Sequence, residues 1–257
     1  METAKCYNII KVKGDNSEHV EDLVVTEYPF TIFIDDEEII TVLCTPKCLK
    51  ELTLGFLLSE SIIENLDDVK KIQINEKNGS GYVLLKERKK LTESLLNKRT
   101  ITSGCGKGTV FYNVIDSFKS KKNEQLISVN SDTVVRLMKE FNHKSELFLA
   151  TGGVHSCALC DTEKILYFQE DIGRHNALDK ILGSTLMDNL NLKDKIILTS
   201  GRISSEILIK AAKRGIAAII SRSAPTSLAV DMAKTLNILL IGFARGEKMN
   251  LYNSDIS

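Results

Sequence analysis

The sequence predicts an α/β fold, and three observations support that prediction. The chain has 257 residues, of which 43% are hydrophobic and 26% charged, so it is long enough for one large globular domain or two modest ones. After about residue 126, short apolar runs alternate with amphipathic stretches, a pattern typical of β-α units. Before about residue 125 the pattern is irregular and favours an α+β region. We therefore expect a smaller N-terminal α+β subdomain over residues 1–125 and an α/β domain over residues 126–257.

The N-terminal region is predicted to contain two strands and one helix. The strands are runs of β-branched, aromatic and other apolar residues at 30–34 and 39–43. The helix is expected over residues 47–64, where apolar side chains recur at near-helical spacing. Residues 75–102 are rich in Lys and Glu, so we expect them to form a surface hairpin or helix rather than a core element.

The C-terminal region is predicted to begin with a helix that Ser131 caps and that runs to Asn142. Apolar runs predict strands at residues 147–150, 165–168, 195–199, 217–221 and 237–242. Amphipathic stretches predict helices at residues 176–188, 204–214 and 227–235. Three or more β-α units of this length favour a parallel or mixed sheet that helices cover.

The charge of the chain excludes some functions and leaves others open. The 34 basic and 34 acidic residues cancel, which argues against a protein that binds nucleic acid polymers or membrane surfaces through a strongly basic field. Residues 15–38 contain nine acids and no Lys or Arg, whereas residues 193–248 contain ten bases and four acids. Both segments fit ordinary solvated surface; the alternative for the later segment is an anion-binding site.

The sequence predicts neither secretion nor membrane insertion. The first ten residues lack the charged segment and long apolar core of a secretory signal. No stretch approaches the roughly 18 apolar residues of a membrane span. We therefore expect a cytoplasmic protein, in which the six cysteines serve thiol chemistry, metal binding or packing before disulfides.

Small and cationic residues recur where three of the predicted strands end. The three segments are residues 200–202, 221–226 and 242–246, and they contribute Arg202, Arg222 and Arg245. Ligands of parallel sheets bind beyond the carboxyl ends of the strands, and a guanidinium group binds phosphate oxygens bidentately. Together these ends predict a site for a pyrophosphate or a dinucleotide, although each segment alone also resembles a common turn.

Cys105 is the candidate nucleophile. It lies between Gly104 and Gly106 in the loop formed by residues 102–109. Lys107 follows two residues after it and precedes a third glycine. Glycines allow a close backbone approach, and a nearby ammonium group lowers the pKa of a thiol toward the reactive thiolate. A glycine-rich turn with an incidental exposed cysteine explains the same residues. The spacing is not that of a phosphate-binding P-loop.

His155, Cys157 and Cys160 have the spacing His-x-Cys-x-x-Cys, which suits a zinc ligand set or a dithiol. A structural zinc needs a fourth ligand, and the sequence offers no second Cys-x-x-Cys or His pair. Small buried cysteines beside a Gly-Gly turn explain the pattern without a metal, so we expect no metal site.

The densest polar cluster follows the strand predicted at residues 165–168. Residues 170–180 read Glu-Asp-Ile-Gly-Arg-His-Asn-Ala-Leu-Asp-Lys. Helix caps and salt bridges account for part of this cluster. His175 has carboxylates near it in the sequence and is also a candidate for proton transfer.

Four motifs, in this order, resemble the FdhD family of sulfur carriers, which are formate dehydrogenase accessory proteins. They are the Cys-Gly-Lys loop around Cys105, Thr-Gly-Gly-Val-His at residues 151–155, the string at residues 170–180 and Ser-Gly-Arg at residues 200–202. The resemblance covers about residues 24–252. It implies a cytidine deaminase-like, three-layer α/β/α larger domain, a smaller N-terminal α+β subdomain, and a homodimer.

The resemblance also implies a function. Family members are cytoplasmic maturation factors that accept sulfur from a cysteine desulfurase as a cysteine persulfide. They pass it to the molybdenum or tungsten bis(molybdopterin guanine dinucleotide) cofactor, which is then inserted into formate dehydrogenase. By motif position Cys105 is the persulfide residue. The residues expected to contact the cofactor are Phe243, Ala244, Arg245, Gly246, Glu247 and Lys248, with Arg202, Arg222 and His175 as further candidates.

The active loop departs from the family pattern in one respect. Many members carry a Cys-x-x-Cys there, whereas Thr102 and Gly108 occupy the positions three before and three after Cys105. We therefore expect transfer to depend on one cysteine, with Lys107 stabilising its anion. Two other functions stay open: a non-catalytic chaperone that binds the guanine dinucleotide cofactor, and a zinc-dependent deaminase-like hydrolase. The latter's His-x-Glu and Pro-Cys-x-x-Cys motifs are missing here.

Overall fold

A computed structural model describes residues 1–87, 123 and 127–253 of the chain, and its N-terminal part contains two antiparallel or mixed sheets. The first is a two-stranded ribbon of β1 (Ala4–Lys13) and β2 (Asn16–Val25). The second has the strand order β4-β3-β6-β5, with β3 (Tyr28–Ile34), β4 (Glu37–Cys44), β5 (Val69–Asn75) and β6 (Ser80–Leu85). Alternate residues of β3 are buried, which gives this sheet one inner face.

The C-terminal part is built on a six-stranded sheet with the order β12-β11-β10-β9-β7-β8. Its strands are β7 (His155–Cys160), β8 (Ile165–Asp171), β9 (Ile196–Thr199), β10 (Ala218–Ser221), β11 (Leu239–Arg245) and β12 (Lys248–Leu251). Strands β9, β10 and β11 are parallel, and the others pair antiparallel. Every residue of β9 and β10 is buried, as expected for strands covered on both faces.

Six α-helices lie in the described part of the chain. They are α1 (Leu49–Ser59), α2 (Ser131–Lys144), α3 (Glu146–Thr151), α4 (Arg174–Met187), α5 (Ser205–Lys213) and α6 (Ser227–Leu236). Side-chain oxygens of Asn130, Ser204 and Thr226 accept hydrogen bonds from the first turns of α2, α5 and α6. A 3₁₀ turn spans Leu66–Asp68.

The six-stranded sheet separates two apolar cores. Helices α1, α4, α5 and α6 contribute to one core, which the sheet meets through residues such as Leu159 and Ile197. Helix α2 covers the opposite face, where Ala158 and Leu198 point. Helices on both faces of a mixed sheet confirm the predicted α/β fold class. The predicted boundary near residue 125 falls outside the described residues and stays a prediction.

Helices α1 and α4 cross with their backbones in contact. A Cβ atom added to Gly55 would lie 1.7 Å from the carbonyl oxygen of Asp179, and one added to Gly183 would lie 1.9 Å from that of Glu51. Only glycine fits at these two positions. We call this crossing, together with the polar contacts described below, the helix joint, because it fastens the N-terminal part to the C-terminal part.

Several element predictions need correction. The strand predicted at residues 147–150 is helix α3, because a short apolar run has no periodicity that separates helix from strand. The predicted surface element after residue 75 includes β6, whose Val83 and Leu85 are buried in the core. The helix predicted over residues 47–64 is limited to α1, and Asn130 rather than Ser131 caps α2. Strands β1, β2, β5, β7 and β12 were not predicted.

Among the described residues, no helix is both long enough and apolar enough to cross a membrane. The remaining predicted strands and helices of the C-terminal region are confirmed to within a few residues at each end. Their success reflects strong periodicity and clear caps.

Candidate functional site

The predicted strand ends meet at one edge of the six-stranded sheet. Strands β9, β10 and β11 are parallel neighbours, so their carboxyl ends lie side by side. Strand β7 runs antiparallel to β9 and starts at this edge with His155. Strand β8 ends there with Asp171, which is paired with His155. The edge therefore gathers side chains from five strands, as expected for a ligand site in such a sheet.

A cavity of about 370 Å³ opens at this edge. Its polar lining consists of His155, Ser200, Arg222, Ser223 and Arg245. The rest of the lining is apolar or glycine, from Phe148, Gly152, Gly153, Val154 and Ile172. The combination of guanidinium groups, hydroxyls and an imidazole suits an anionic ligand with polar oxygens.

Strand β11 has an irregular backbone where it borders the cavity. Its pairing with β12 shifts between Gly242 and Arg245, and Phe243 has a φ of 52°, which is uncommon for a bulky residue. The Phe243 backbone N–H donates to the Ser223 carbonyl at 3.1 Å, and Arg245 Nε donates to the Arg222 carbonyl at 2.9 Å. These contacts fasten the end of β11 to the end of β10.

The remaining residues of the predicted cofactor-contacting stretch surround this irregularity. Ala244 is buried, while Glu247 and Lys248 are exposed. Gly246 has a φ of 59° in the turn between β11 and β12, a conformation that favours glycine. Only Arg245 of this stretch lines the cavity.

His155 stands among cations at the cavity. Its Nδ1 atom lies 3.5 Å from Ser200 Oγ, and Gly201 packs against both this ring and the Arg174 side chain. Partial burial lowers the pKa of His155, the positive charges of Arg174 and Arg202 lower it further, and Asp171 opposes them. The imidazole is therefore neutral near pH 7, with one nitrogen able to donate and one to accept.

The structure does not place His175 in the lining of the cavity. It lies in the first turn of α4, where its Nε2 atom is 3.1 Å from Glu206 Oε2 without the geometry of a hydrogen bond. Burial is the main cause that lowers its pKa to about 4, with Lys210, Arg174 and His155 adding to the effect. Arg202 is exposed and lies outside the lining as well.

Much of the polar string at residues 170–180 builds the helix joint. Asp171 and Lys180 are both fully buried, and their side chains form an ion pair at 2.6 Å. The backbone N–H of Thr45 donates to Asp171 Oδ2 at 3.0 Å, and Lys180 Nζ donates to Thr45 Oγ1 at 2.7 Å. Asn176 and the Gly173 N–H both donate to Asp171 Oδ1 at 2.9 Å. These contacts connect α4 to the end of β4.

A second buried pair lies further along α4. Asp179 forms an ion pair with Lys210 at 2.6 Å and accepts a hydrogen bond from Ser59 Oγ at 2.6 Å. Lys213 Nζ donates to the Ser59 carbonyl at 2.6 Å. Caps and salt bridges therefore account for the acids, the asparagine and the lysine of the motif, and they leave the arginine and the histidine unexplained.

Glu170 supports the cavity wall, a role that the sequence did not suggest. Its carboxylate accepts hydrogen bonds from the backbone N–H groups of Leu147 and Phe148, both at 3.0 Å, at the start of α3. It also accepts from Ser156 Oγ at 3.3 Å. Helix α3 supplies Phe148 to the lining, so this carboxylate positions one wall of the cavity.

Three of the five described cysteines are buried thiols with raised pKa values, which makes them poor nucleophiles. Cys157 and Cys160 are buried in β7 and point to opposite faces of the sheet, since one belongs to the first core and the other to the second. They form no dithiol and share no metal with His155. Burial raises the pKa of both thiols, and it raises that of Cys44 to about 12. In residues 1–87, 123 and 127–253, no three metal-ligating side chains converge.

Cys105, Lys107, Thr102 and Gly108 lie outside the described residues. Sequence reasoning placed Ser200 and Ser223 in the strand-end segments of the predicted anion site, but it missed the α3 residues as parts of the cavity. It considered His155 as a metal ligand and as part of a family motif, not as a residue of the cavity. His155 begins β7, and the antiparallel pairing of β7 with β9 brings it to the edge where the parallel strands end. No signal in the sequence indicated this placement.

Comparison with known proteins gives a consistent result. A sequence model of the FdhD/NarQ family matches residues 25–256. The chain is 48% identical over 231 residues to the sulfur carrier protein FdhD of Bacillus pumilus, covering 90% of this chain and 88% of that protein. It is 43% identical over 255 residues to the protein of the same name from Listeria monocytogenes, covering 98% of each.

A solved structure shares the fold. A protein from Desulfotalea psychrophila that is assigned as a formate dehydrogenase accessory protein superposes with a TM-score of 0.78. The two chains are 24% identical, and the superposition covers 98% of each. The shared architecture therefore extends over nearly the whole length of both chains.

Proposed function

Because the chain belongs to the FdhD/NarQ family, we propose that it is a sulfur carrier required for the activity of a formate dehydrogenase. The family match over residues 25–256 is the observation that carries this proposal. The names of the curated relatives support sulfur transfer, and the assignment of the solved structure supports the link to formate dehydrogenase.

In the proposed reaction, the Cys105 thiolate attacks the outer sulfur of a persulfide on a cysteine desulfurase. A new S–S bond forms on Cys105, the S–S bond of the desulfurase breaks, and the desulfurase cysteine leaves as a thiolate. Cys105 then passes the outer sulfur to the molybdenum or tungsten of the bis(molybdopterin guanine dinucleotide) cofactor, which is the substrate of this step. A metal–sulfur bond forms, the S–S bond on Cys105 breaks, and Cys105 leaves as a thiolate, while the reduced metal of the substrate supplies the two electrons that the sulfur takes up. Lys107 stabilises the sulfur anion on the loop.

The cavity at the carboxyl edge supports the cofactor part of the proposal. A guanine dinucleotide carries a negatively charged diphosphate, and Arg222 and Arg245 present guanidinium groups in the lining. Phe243, Ala244, Gly246, Glu247 and Lys248 form the irregular strand end and turn beside it. Arg202 contributes positive charge near this edge rather than a contact within the cavity, and His175 contributes a ring that is neutral near pH 7.

The buried thiols support the choice of Cys105 as the carrier. No cysteine lines the cavity among the residues that the structure describes. Cys157 and Cys160 are inaccessible to large protein partners, and their raised pKa values keep them protonated. We further propose that the protein is a cytoplasmic homodimer whose partners are a cysteine desulfurase and formate dehydrogenase.

Mass spectrometry after incubation with a cysteine desulfurase and cysteine tests the carrier step. We expect one added sulfur atom on the peptide that contains Cys105, and none in the Cys105→Ala variant. Cys6→Ser is a matched control, since Cys6 is exposed on the ribbon and should not affect loading. Sulfur on the peptide that contains Cys157 and Cys160 would contradict the assignment.

A cellular assay separates a sulfur carrier from a chaperone that only binds the cofactor. In a cell that lacks its own family member, the wild-type chain should restore formate dehydrogenase activity and Cys105→Ala should not. Full activity with Cys105→Ala would favour the chaperone instead.

A further inference from the structure

His155 occupies the part of the cavity where the antiparallel and parallel halves of the sheet meet. It shares the lining with Ser200, Arg222 and Arg245, so groups from three neighbouring strand ends face the same space. The ring contacts Ser200 Oγ at 3.5 Å, and a Cβ atom added to Gly201 would lie only 3.4 Å from its Nδ1 atom, so the backbone of Gly201 lies close to the ring. These contacts place the ring at the edge of the cavity.

The charged groups around this ring are mostly positive. Arg174 acts on it from α4, Arg202 follows β9, and Arg222 and Arg245 come from β10 and β11. His175 on α4 also interacts with it, but its pKa is lowered to about 4, so it carries no charge near pH 7. The only acid that acts on His155 among the described residues is Asp171, which is buried and paired with Lys180. Arg174 Nε is buried with no hydrogen-bond partner in the described part of the chain. The surroundings thus favour an anion next to the imidazole.

We propose that His155 is a ligand-binding residue that donates a hydrogen bond to a phosphate oxygen of the guanine dinucleotide, together with Arg222 and Arg245. This inference rests on the proposed cofactor binding and names a contact within it. A cavity of about 370 Å³ is at the small end of ligand sites, so it takes one diphosphate segment rather than the whole bis-dinucleotide.

The proposal predicts that a proton is taken up when the ligand binds. In the free protein, partial burial and the charges of Arg174 and Arg202 lower the pKa of His155. A bound diphosphate offsets those charges and stabilises the imidazolium, so the pKa is higher in the complex. Between the two pKa values binding takes up a proton. Affinity therefore rises as the pH falls through the pKa of the complex and levels off below the pKa of the free protein.

Titration calorimetry with diguanosine diphosphate tests this inference, because each phosphate of that probe carries one ribose ester and one anhydride bond and has no titrating proton near neutral pH. Heats measured in buffers of different ionisation enthalpy give the number of protons taken up. We expect uptake by the wild-type protein. For His155→Gln we expect loss of the uptake and an affinity roughly tenfold lower, the loss of one charged hydrogen bond. Guanosine, which has no phosphate, should bind without uptake.

Two further histidine variants identify the proton acceptor. His143→Gln is the matched control: His143 is exposed near the end of α2, so uptake and affinity should match the wild type. If uptake disappears in His175→Gln and persists in His155→Gln, the inference is wrong. Thermal unfolding of each variant shows whether a loss of binding reflects loss of the fold.

Nuclear magnetic resonance of the wild-type protein gives an answer without mutation. The chain has four histidines, so the ring signals can be followed individually through a pH titration. We expect the pKa of His155 to rise on addition of the probe, and an unchanged value would overturn the inference. If the wild-type protein does not bind the probe at all, the proposed cofactor site fails as well. If it binds and His155→Gln binds equally, only the present inference fails.

Discussion

The helix joint and the cavity both include residues from 170–180, but the charged side chains of the joint are paired and buried, whereas those near the cavity are mostly positive. In the joint, Asp171 and Lys180 are fully buried and each satisfies the other. At the cavity edge, Arg174 has a buried nitrogen without a described partner, and His155 is neutral among cations. Paired charges fix two parts of the chain together, whereas unpaired positive charge at an open edge is available to a ligand. Residues 170–180 therefore build the joint, and one of them, Ile172, also lines the cavity.

The sharpest way to break the joint is to remove one member of its buried ion pair. Lys180→Met leaves the Asp171 carboxylate buried without its main counter-charge, so we expect a loss of about 3–5 kcal/mol in the free energy of unfolding. Chemical denaturation measures this loss. Lys139→Met is the control: Lys139 is exposed on α2, and its change should stay within about 0.5 kcal/mol. Equal stability of the two variants would mean that the pair does not hold the joint.

Substitutions in the cavity lining should change ligand binding more than the free energy of unfolding. Arg245→Ala removes a guanidinium group from the lining, and we expect guanine nucleotide binding to weaken by about 1–3 kcal/mol. Its free energy of unfolding should change by only about 1 kcal/mol, since Arg245 is exposed and loses one hydrogen bond to the Arg222 carbonyl. Calorimetry with GDP checks the first expectation, and Lys234→Ala on the exposed face of α6 is the charge control. Unchanged binding in Arg245→Ala would remove this strand end from the site.

His175 interacts electrostatically with Lys210 of the joint and with His155 of the cavity, and its protonation at acid pH should lower the stability of the fold. Its pKa is lowered from 6.5 to about 4 in the folded protein, so the unfolded chain binds more protons between these pH values. Stability should fall as the pH is lowered through that window, by roughly 1–2 kcal/mol for this residue once its partial exposure is allowed for. His175→Gln should make the dependence on pH shallower, whereas His143→Gln should not. Denaturation at a series of pH values measures both slopes, and identical slopes would contradict the lowered pKa.

The sequence alone predicts the carboxyl edge of the sheet because strands and ligand sites in α/β folds follow general rules. Arg222 and Arg245 could be assigned to one edge once β10 and β11 were predicted as parallel strands. His155 could not, since its place depends on β7 being antiparallel to β9, and only tertiary pairing reveals that orientation. Helix α3 was hidden for a similar reason, because Glu170, distant in sequence, satisfies its first N–H groups.

The helix joint was the least predictable part. Lys180 carries a charge and would ordinarily be placed on the surface, yet it is fully buried because Asp171 and Thr45 surround its ammonium group. Glycine inside a helix usually lowers the stability of that helix, yet Gly55 and Gly183 each allow a close contact between two helix backbones. Such features depend on which helices meet, which local patterns in the sequence do not specify.

The end of strand β8 places two successive carboxylates in different roles. Glu170 holds the first turn of α3, and Asp171 holds Lys180 and Thr45. Neighbouring residues of a strand point to opposite faces, so a deletion or insertion of one residue here would exchange the two sides. The positions of these two carboxylates along the strand are therefore more constrained than the choice between Asp and Glu. Asp and Glu carry the same group, but no substitution can repair a shift of register.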